Sequence, residues 1–347
     1  MRARVYRTEV ALRDAVAGGA QTHASRPRLY LELELDGVRG FGEVAPQPRP
    51  LNGDPGLDEV VTATSRALTR VREWIARDGA APWWRVGAVV DGTPAERAAA
   101  ALVEMALLDR ELRASDRSLV ELWPARYEVR PTATVSLLSG EPWRVATGVA
   151  RVRAKCAPGP LAPEATERLE ALGVPVLLDY NATALDAEDV LARVAEVACR
   201  ARVVAVEQPF APGNLIETAR LAARLDELGV AVSLDEGVRT AGDLRAIARY
   251  GAARLVCVKP PRVAGLAQTL SLVARAHELE LTPYLGGFFE SPYARTFHRT
   301  LVAHALDEPS DVGEVAVAGP SEVVRVEGSV GLWPAPTARA DATALEV

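Results

Sequence analysis

Apolar residues recur with two rhythms along this chain, and the rhythm changes near residue 130. Before that point Leu29-Tyr30-Leu31-Glu32-Leu33-Glu34-Leu35 alternates with period two, the pattern of a half-buried strand. Asp36-Gly37 supplies a hairpin turn, and 38–44 reads as the returning strand. Segments 58–80 and 94–114 carry apolar residues at helical spacing, the second opening on Thr93 as N-cap and Pro94 in the first turn. This β-then-α order predicts an α+β unit over residues 1–125.

Further on, short β-branched runs alternate with alanine-rich amphipathic stretches. The predicted strands are 132–137, 149–156, 174–178, 202–206, 230–234, 254–258, 281–285 and 311–317. The predicted helices between them are 163–172, 187–200, 215–228, 241–250 and 266–278. Such alternation implies parallel strands joined by crossover helices. Eight strands fit a closed (β/α) barrel over residues 126–319. No Gly-x-Gly-x-x-Gly follows the first of these strands, which argues against an open dinucleotide-binding sheet. From residue 320 to 347 the rhythm stops, and 328–334, with Trp333, is expected to return and pack on the first unit.

Composition narrows the function classes. The chain has 347 residues, 49% hydrophobic and 25% charged, as in an ordinary globular protein. A net charge of −6 leaves no basic excess for nucleic acid. No stretch approaches the roughly 20 apolar residues of a membrane span. The start, Met1-Arg2-Ala3-Arg4-Val5-Tyr6-Arg7, has no apolar signal core, so a cytoplasmic location is expected. Cys156, Cys199 and Cys257 are scattered and odd in number, which suggests reduced, buried thiols.

Of the 40 basic residues only Lys155 and Lys259 are lysine. Guanidinium stays charged at any working pH, whereas a lysine can be made to release its proton. Both lysines close an apolar run, and so do Asp179, Glu207 and Asp235. In the order 155, 179, 207, 235, 259 the intervals are 24, 28, 28 and 24 residues, one strand–helix unit each. In a parallel barrel all strands end at one face, so these five side chains converge there. A single acid at a strand end is ordinarily a cap for the next helix. Three acids and two lysines at unit spacing are not explained that way. Three converging carboxylates repel unless a cation neutralises them, and a hard divalent ion, Mg²⁺ or Mn²⁺, suits oxygen ligands. A cation flanked by lysines suits removal of a proton α to a carboxylate, with the enolate charge stabilised by the metal and a lysine as base.

The same residues resemble the enolase superfamily, in particular its muconate-lactonizing subgroup, which includes o-succinylbenzoate synthase and N-succinylamino acid racemase. The carrying segments are Phe41-Gly42-Glu43-Val44-Ala45-Pro46, Glu104 to Asp109, Arg153-Ala154-Lys155, Asp179-Tyr180-Asn181, Glu207-Gln208-Pro209, Asp235-Glu236, Lys259-Pro260 and Gly286-Gly287-Phe288-Phe289-Glu290-Ser291. The resemblance implies a modified (β/α)7β TIM barrel under an α+β capping domain built from the N-terminal segment and the C-terminal tail. It implies Asp179, Glu207 and Asp235 as metal ligands and Lys155 and Lys259 facing each other across the substrate. It implies substrate contacts from Asn181, Glu236, Gly287, Glu290 and Ser291. In a synthase the lysine at 155 removes and returns the proton while the lysine at 259 contributes charge; in a racemase both act, on opposite faces.

Arg153 stands where the subgroup has the first lysine of Lys-x-Lys, pointing the same way as Lys155 and able to hold a substrate carboxylate. Thr132 replaces an asparagine of the first barrel strand, and Gly237 replaces the serine of Asp-Glu-Ser. His277, His298 and His304 fall in helical stretches, so the His-Asp dyad of the mandelate-racemase subgroup is absent. The Asp-x-Asp of dipeptide epimerases is not evident, and Asp311-Val312-Gly313-Glu314 occupies its region. His23 and Arg26 are expected in a mobile loop closing over the substrate. The expected reaction is a dehydration of the o-succinylbenzoate synthase kind, as used in menaquinone biosynthesis, on a small carboxylate substrate. N-succinylamino acid racemisation or another muconate-cycloisomerase-like activity, and a non-catalytic small-molecule-binding barrel, are the alternatives, and assembly as a homo-oligomer is compatible with each.

Overall fold

The computed structural model describes residues 1–18, 21–90, 92–140 and 142–313, and the backbone of 323–325, 332–334 and 343–346; the side chains of 13–23 are not among those described. The first unit is an antiparallel sheet of β1 (Arg2–Gly18), β2 (Gln21–Leu35) and β3 (Val38–Val44). A late strand, β13 (Thr343–Glu346), pairs with β1, so the sheet order is β13-β1-β2-β3. The loop expected around His23 and Arg26 is instead strand. β2 starts at Gln21 and pairs with β1 as far as Gly18, with an irregularity that sets Ala24 alone against the four residues between Ala11 and Val16. Main-chain pairing needs no apolar alternation, and the polar run Gln21-Thr22-His23-Ala24-Ser25 carried none to read.

α1 (Leu57–Asp78) and α3 (Pro94–Ala114) cover this sheet, α2 (Trp83–Ala88) packs on α3, and the short α4 (Leu119–Leu122) comes after them. Thr93 caps α3 by accepting from the Glu96 N–H at 3.3 Å, and Glu96 returns the bond to the Thr93 N–H at 2.9 Å. α3 is buried on nearly every side, from Ala98 through Leu108. It runs against β3 where Gly40 and Gly42 have no side chain, and a Cβ at either would strike α3 backbone.

The second unit is a parallel seven-stranded sheet, ordered β10-β9-β8-β7-β6-β5-β4. Its strands are β4 (Thr132–Ser136), β5 (Arg151–Lys155), β6 (Val176–Asp179), β7 (Val203–Glu207), β8 (Ala231–Leu234), β9 (Leu255–Val258) and β10 (Thr282–Leu285). Helices α5 (Ala165–Leu172), α6 (Ala187–Ala198), α7 (Leu215–Asp226), α8 (Ala241–Tyr250), α9 (Leu266–Glu278) and α10 (Pro292–Ala305) follow β5 to β10 in turn. No helix joins β4 to β5 among the described residues; there Trp143 Nε1 donates to the Ser136 carbonyl at 3.0 Å. Of the expected eighth strand, 311–313 are not strand and 314–317 lie outside the described residues. The ring is nevertheless joined just before it. Ser310 bridges Pro131 in parallel, the Thr132 N–H donates to the Ser310 carbonyl at 2.8 Å, and the Asp311 N–H donates to the Leu285 carbonyl at 2.8 Å.

Leu177, Ala205, Ala231, Leu255, Cys257 and Tyr284 fill the inside of the curled sheet. Cys156 and Cys257 are buried, but Cys199 is exposed, because it ends α6 where the chain turns to solvent. In the tail, β11 (Val323–Arg325) and β12 (Leu332–Pro334) form a two-stranded ribbon, and the packing of Trp333 lies outside the described side chains. Among the described residues no helix is long and apolar enough to cross a membrane.

Candidate active site

Parallel register aligns the chemistry. Lys155 at the end of β5 stands beside Asp179 of β6, which stands beside Glu207 of β7. Asp235 and Lys259 follow the last residues of β8 and β9. The five strand-end residues therefore share one rim. Lys155 Nζ donates to Asp179 Oδ2 at 2.5 Å and to Asn181 Oδ1 at 2.7 Å. Lys259 Nζ donates to Asp235 Oδ2 at 2.8 Å and lies 4.5 Å from the centre of the Phe288 ring.

Two carboxyls feel the crowding. Burial, with Asp179 and Asp235 pushing the same way, raises Glu207 to about 7 against the pull of Arg153. Burial and the Asp235 charge raise Glu236 to about 7. Asp235 itself goes the other way: burial opposes its ionisation, but the Arg262 and Lys259 cations outweigh that and hold it well below the usual carboxylate range. Lys259 is the converse, with burial opposing its charge and Asp235 prevailing to hold the ammonium above its ordinary value.

The donor set fits a hard divalent cation. Oxygens of Glu207 and Asp235 gather within 4.8 Å of each other and of Cys257 Sγ, and Glu207 Oε1 is buried with no hydrogen-bond partner. Burial pushes the Cys257 thiol well up, so it stays protonated and is a poor ligand for such an ion. Asp179, expected as the third ligand, falls outside this grouping. Its carboxylate is turned to Lys155 and to the Asn181 N–H at 2.9 Å. Its charge still reaches Glu207.

A cavity of about 460 Å³ opens over this rim, lined by Arg26, Arg153, Lys155, Asn181, Asp235, Glu236, Lys259 and Gly287 among others. The loop between β4 and β5 adds Trp143 and Arg144, and the loop after β10 adds Phe288 and Phe289. Several sequence expectations need correction. Arg153 is buried on the cavity wall and paired with acids, with Nε 3.4 Å from Glu207 Oε2 and Nη1 3.2 Å from Asp311 Oδ2, while its Nη2 makes no hydrogen bond among the described residues. Glu290 and Ser291 are buried and turn from the cavity. Glu290 accepts the Phe288 N–H at 2.9 Å, and Ser291 donates from its N–H to Glu43 Oε1 at 2.7 Å. Ser291 thus ties the loop after β10 to the N-terminal unit, while Glu290 braces the loop itself and lies 3.5 Å from Arg295 Nη2 of α10. Arg26 donates to Gln47 Oε1 at 2.5 Å and stacks 4.9 Å from the Phe289 ring centre. The His23 side chain lies outside the described residues.

Sequence reasoning gave no role to three partners. Gln208 Oε1 accepts both the Asp235 and Glu236 N–H groups at 3.0 Å and so fixes that turn. Tyr284 donates its hydroxyl to Glu207 Oε2. Arg262 reaches Asp235 Oδ1 at 2.5 Å and the Asp235 carbonyl at 2.8 Å. Only Gln208 had a signal, since it directly follows a strand-end acid.

Comparison with known proteins agrees with this geometry. Residues 143–320 match the family described as enolase C-terminal domain-like. An aromatic dipeptide epimerase of Herpetosiphon aurantiacus is 31% identical over 305 residues, covering 83% of this chain and 82% of that protein. An o-succinylbenzoate synthase of Enterococcus faecalis is 25% identical over 280 residues, covering 78% and 74%. A solved enolase superfamily member from Listeria innocua superposes with a TM-score of 0.79 at 18% identity, covering 99% of this chain and 98% of that one. A curled parallel sheet with its acids and lysines on one rim, under an antiparallel cap, thus has its relatives in one place: the chain belongs to the enolase superfamily.

Proposed function

We propose that this enzyme removes a proton α to a carboxylate with the help of a divalent cation, in a dehydration of the o-succinylbenzoate synthase kind. The observation that carries the reading is the unlike setting of the two lysines. Lys259 is buried against the Asp235 carboxylate and beneath the Phe288 ring, a setting that keeps it charged. Among the described residues no ring faces Lys155, whose Nζ is aimed by the Asn181 amide oxygen at the cavity rim. Both lysines are paired with a carboxylate, Lys155 with Asp179 and Lys259 with Asp235, but Lys155 is the more exposed of the two. A lysine at the open rim placed to pass a proton and an enclosed cation suit a reaction on a single face of the substrate. Held by Glu207 and Asp235, and by Asp179 once its carboxylate turns from Lys155, Mg²⁺ or Mn²⁺ would neutralise charge building on the substrate carboxylate. Lys155 then takes the α-proton at Nζ and returns it to the departing hydroxyl.

The charge inventory of the cavity supports an anionic substrate tail. Asp54 and Asp311 on its wall are already paired with Arg262 and with Arg153 and Arg295, while Arg144 and Arg299 are exposed there. A succinyl carboxylate suits such a wall better than the ammonium of a dipeptide. Racemisation of an N-succinylamino acid is the second reading, favoured by the presence of both lysines on one cavity.

The test uses the hydroxycyclohexadiene precursor of o-succinylbenzoate, followed by the absorbance of the aromatic product. Lys155→Arg is expected to lose several orders of magnitude in kcat, since arginine cannot act as the base. Lys259→Arg keeps a cation and is expected to lose far less. Full activity of Lys155→Arg would refute the assignment. Equal loss in both variants, with faster racemisation of N-succinylamino acids than dehydration, would move the reading to the racemase.

A further inference from the structure

The loop between β3 and α1 belongs to the N-terminal unit, yet it ends against the metal-site rim. Within it the Gln47 N–H donates to the Pro55 carbonyl at 3.2 Å, and Leu51 and Asp54 close a turn with bonds of 3.1 and 2.8 Å. This holds Asp54 on the barrel side. Its carboxylate takes a two-pronged bond from Arg262, Nε to Oδ1 at 2.9 Å and Nη2 to Oδ2 at 2.8 Å. The remaining arm of Arg262, Nη1, is the one that binds Asp235. All three side chains are buried. Asn52, two residues earlier, makes a separate contact, 3.5 Å from Glu236 Oε1.

The arrangement raises a question of charge. A guanidinium against a metal ligand repels the cation that ligand is meant to hold. Within about 5 Å, at the effective dielectric of a protein interior, two like charges interact strongly enough to change an affinity more than tenfold. Arg262 also competes directly for Asp235 Oδ1. Asp54 answers both effects, because it neutralises the guanidinium and draws two of its three nitrogens away from Asp235. We infer that Asp54 is a positioning residue of the metal site: by pairing with Arg262 it releases Asp235 to bind the cation, so that seating the capping loop and completing the site are one event. Asp54 touches no metal ligand, and its effect runs through Arg262 alone. The inference rests on the metal assignment made above.

Calorimetric titration of Mg²⁺ and Mn²⁺ into the metal-free full-length chain, with no organic substrate, tests it. Asp54→Asn is expected to weaken binding at least tenfold. Arg262→Gln, which removes the opposing charge, is expected to hold or raise affinity. The double variant is expected to return to within about threefold of the parent. Asn52→Ala, which removes the 3.5 Å contact to Glu236 but leaves the Asp54–Arg262 pair in place, is expected to leave affinity unchanged. Circular dichroism checks the fold of each variant, and should Asp54→Asn fail to fold, Arg262→Gln and the double variant carry the test. Unchanged affinity in Asp54→Asn, a fall in Arg262→Gln, or a double variant as weak as Asp54→Asn would each overturn the inference, the last by showing a merely structural role. No binding by the parent chain would instead overturn the metal assignment itself.

Discussion

Gly286 follows β10 directly, and the space a side chain would take there is filled by Cys257 and Lys259. A Cβ there would lie 2.5 Å from Cys257 Sγ, 2.6 Å from Lys259 Cε and 3.0 Å from Lys259 Cγ. Carbon contacts are ordinarily about 3.5–4 Å, so in Gly286→Ala the lysine stem must move by about 1 Å. The Gly286 backbone is not among the left-handed positions, so the substitution adds no conformational strain of its own. Its effect passes through the buried Cys257 thiol and through Lys259, whose Nζ is fixed by Asp235 at 2.8 Å and by the Phe288 ring at 4.5 Å. A shift of about 1 Å at a charged catalytic group costs on the order of a hundredfold in rate. The overpacking itself costs about 1–3 kcal/mol of stability, at the low end here because a lysine stem can flex. Gly237→Ala is the matched control. It also follows the rim, but its Cβ would meet nothing nearer than Pro212 Cβ at 4.0 Å. Steady-state kinetics of the dehydration and thermal unfolding, measured for both variants, should show a large fall in kcat for Gly286→Ala with a small fall in Tm, and no change for Gly237→Ala. Parental kcat in a folded Gly286→Ala, or an equal loss in the control, would refute the role given to the Lys259 position.

Glu104 of α3 accepts the Ala267 N–H at the start of α9 at 2.8 Å, while its other oxygen is buried without a partner. Burial raises its carboxyl to about 8 from 4.5, the Ala267 and Leu266 N–H groups pulling the other way, so the folded chain keeps a proton that the unfolded chain releases. The stability this contributes is full below about pH 4.5 and is lost as the pH rises through about 8; Glu104→Gln should flatten that decline in thermal melts taken from about pH 5 to pH 9, and an unaltered slope would exclude Glu104 as its source. Gly42→Ala would set a Cβ against the Leu102 carbonyl and 3.0 Å from the Ala106 N–H, rigid helix backbone that cannot give way, so a loss of about 3 kcal/mol or more and a clearly lower Tm are expected, with parental stability as the refuting result.

The residues readable from the chain alone are those whose position is set by local period. A parallel strand–helix repeat advances one strand for each unit of sequence, so intervals of 24 and 28 residues translate directly into neighbours on a rim. Lys155, Asp179, Glu207, Asp235 and Lys259 were found in that way. The hairpin of β1 and β2 beyond the core was not, because backbone pairing leaves no mark on side-chain alternation. Charged partners were not legible either. Asp54 and Arg262 are 208 residues apart, and Arg153 pairs with Asp311 across 158. Glu290 and Ser291 kept their place in the loop after β10 but not their expected direction, since Glu43 and the Phe288 N–H claimed them. Spacing places a side chain on a rim, but which charge it pairs with depends on what distant packing brings within about 3 Å of it in a buried setting, where an unpaired charge is too costly to leave.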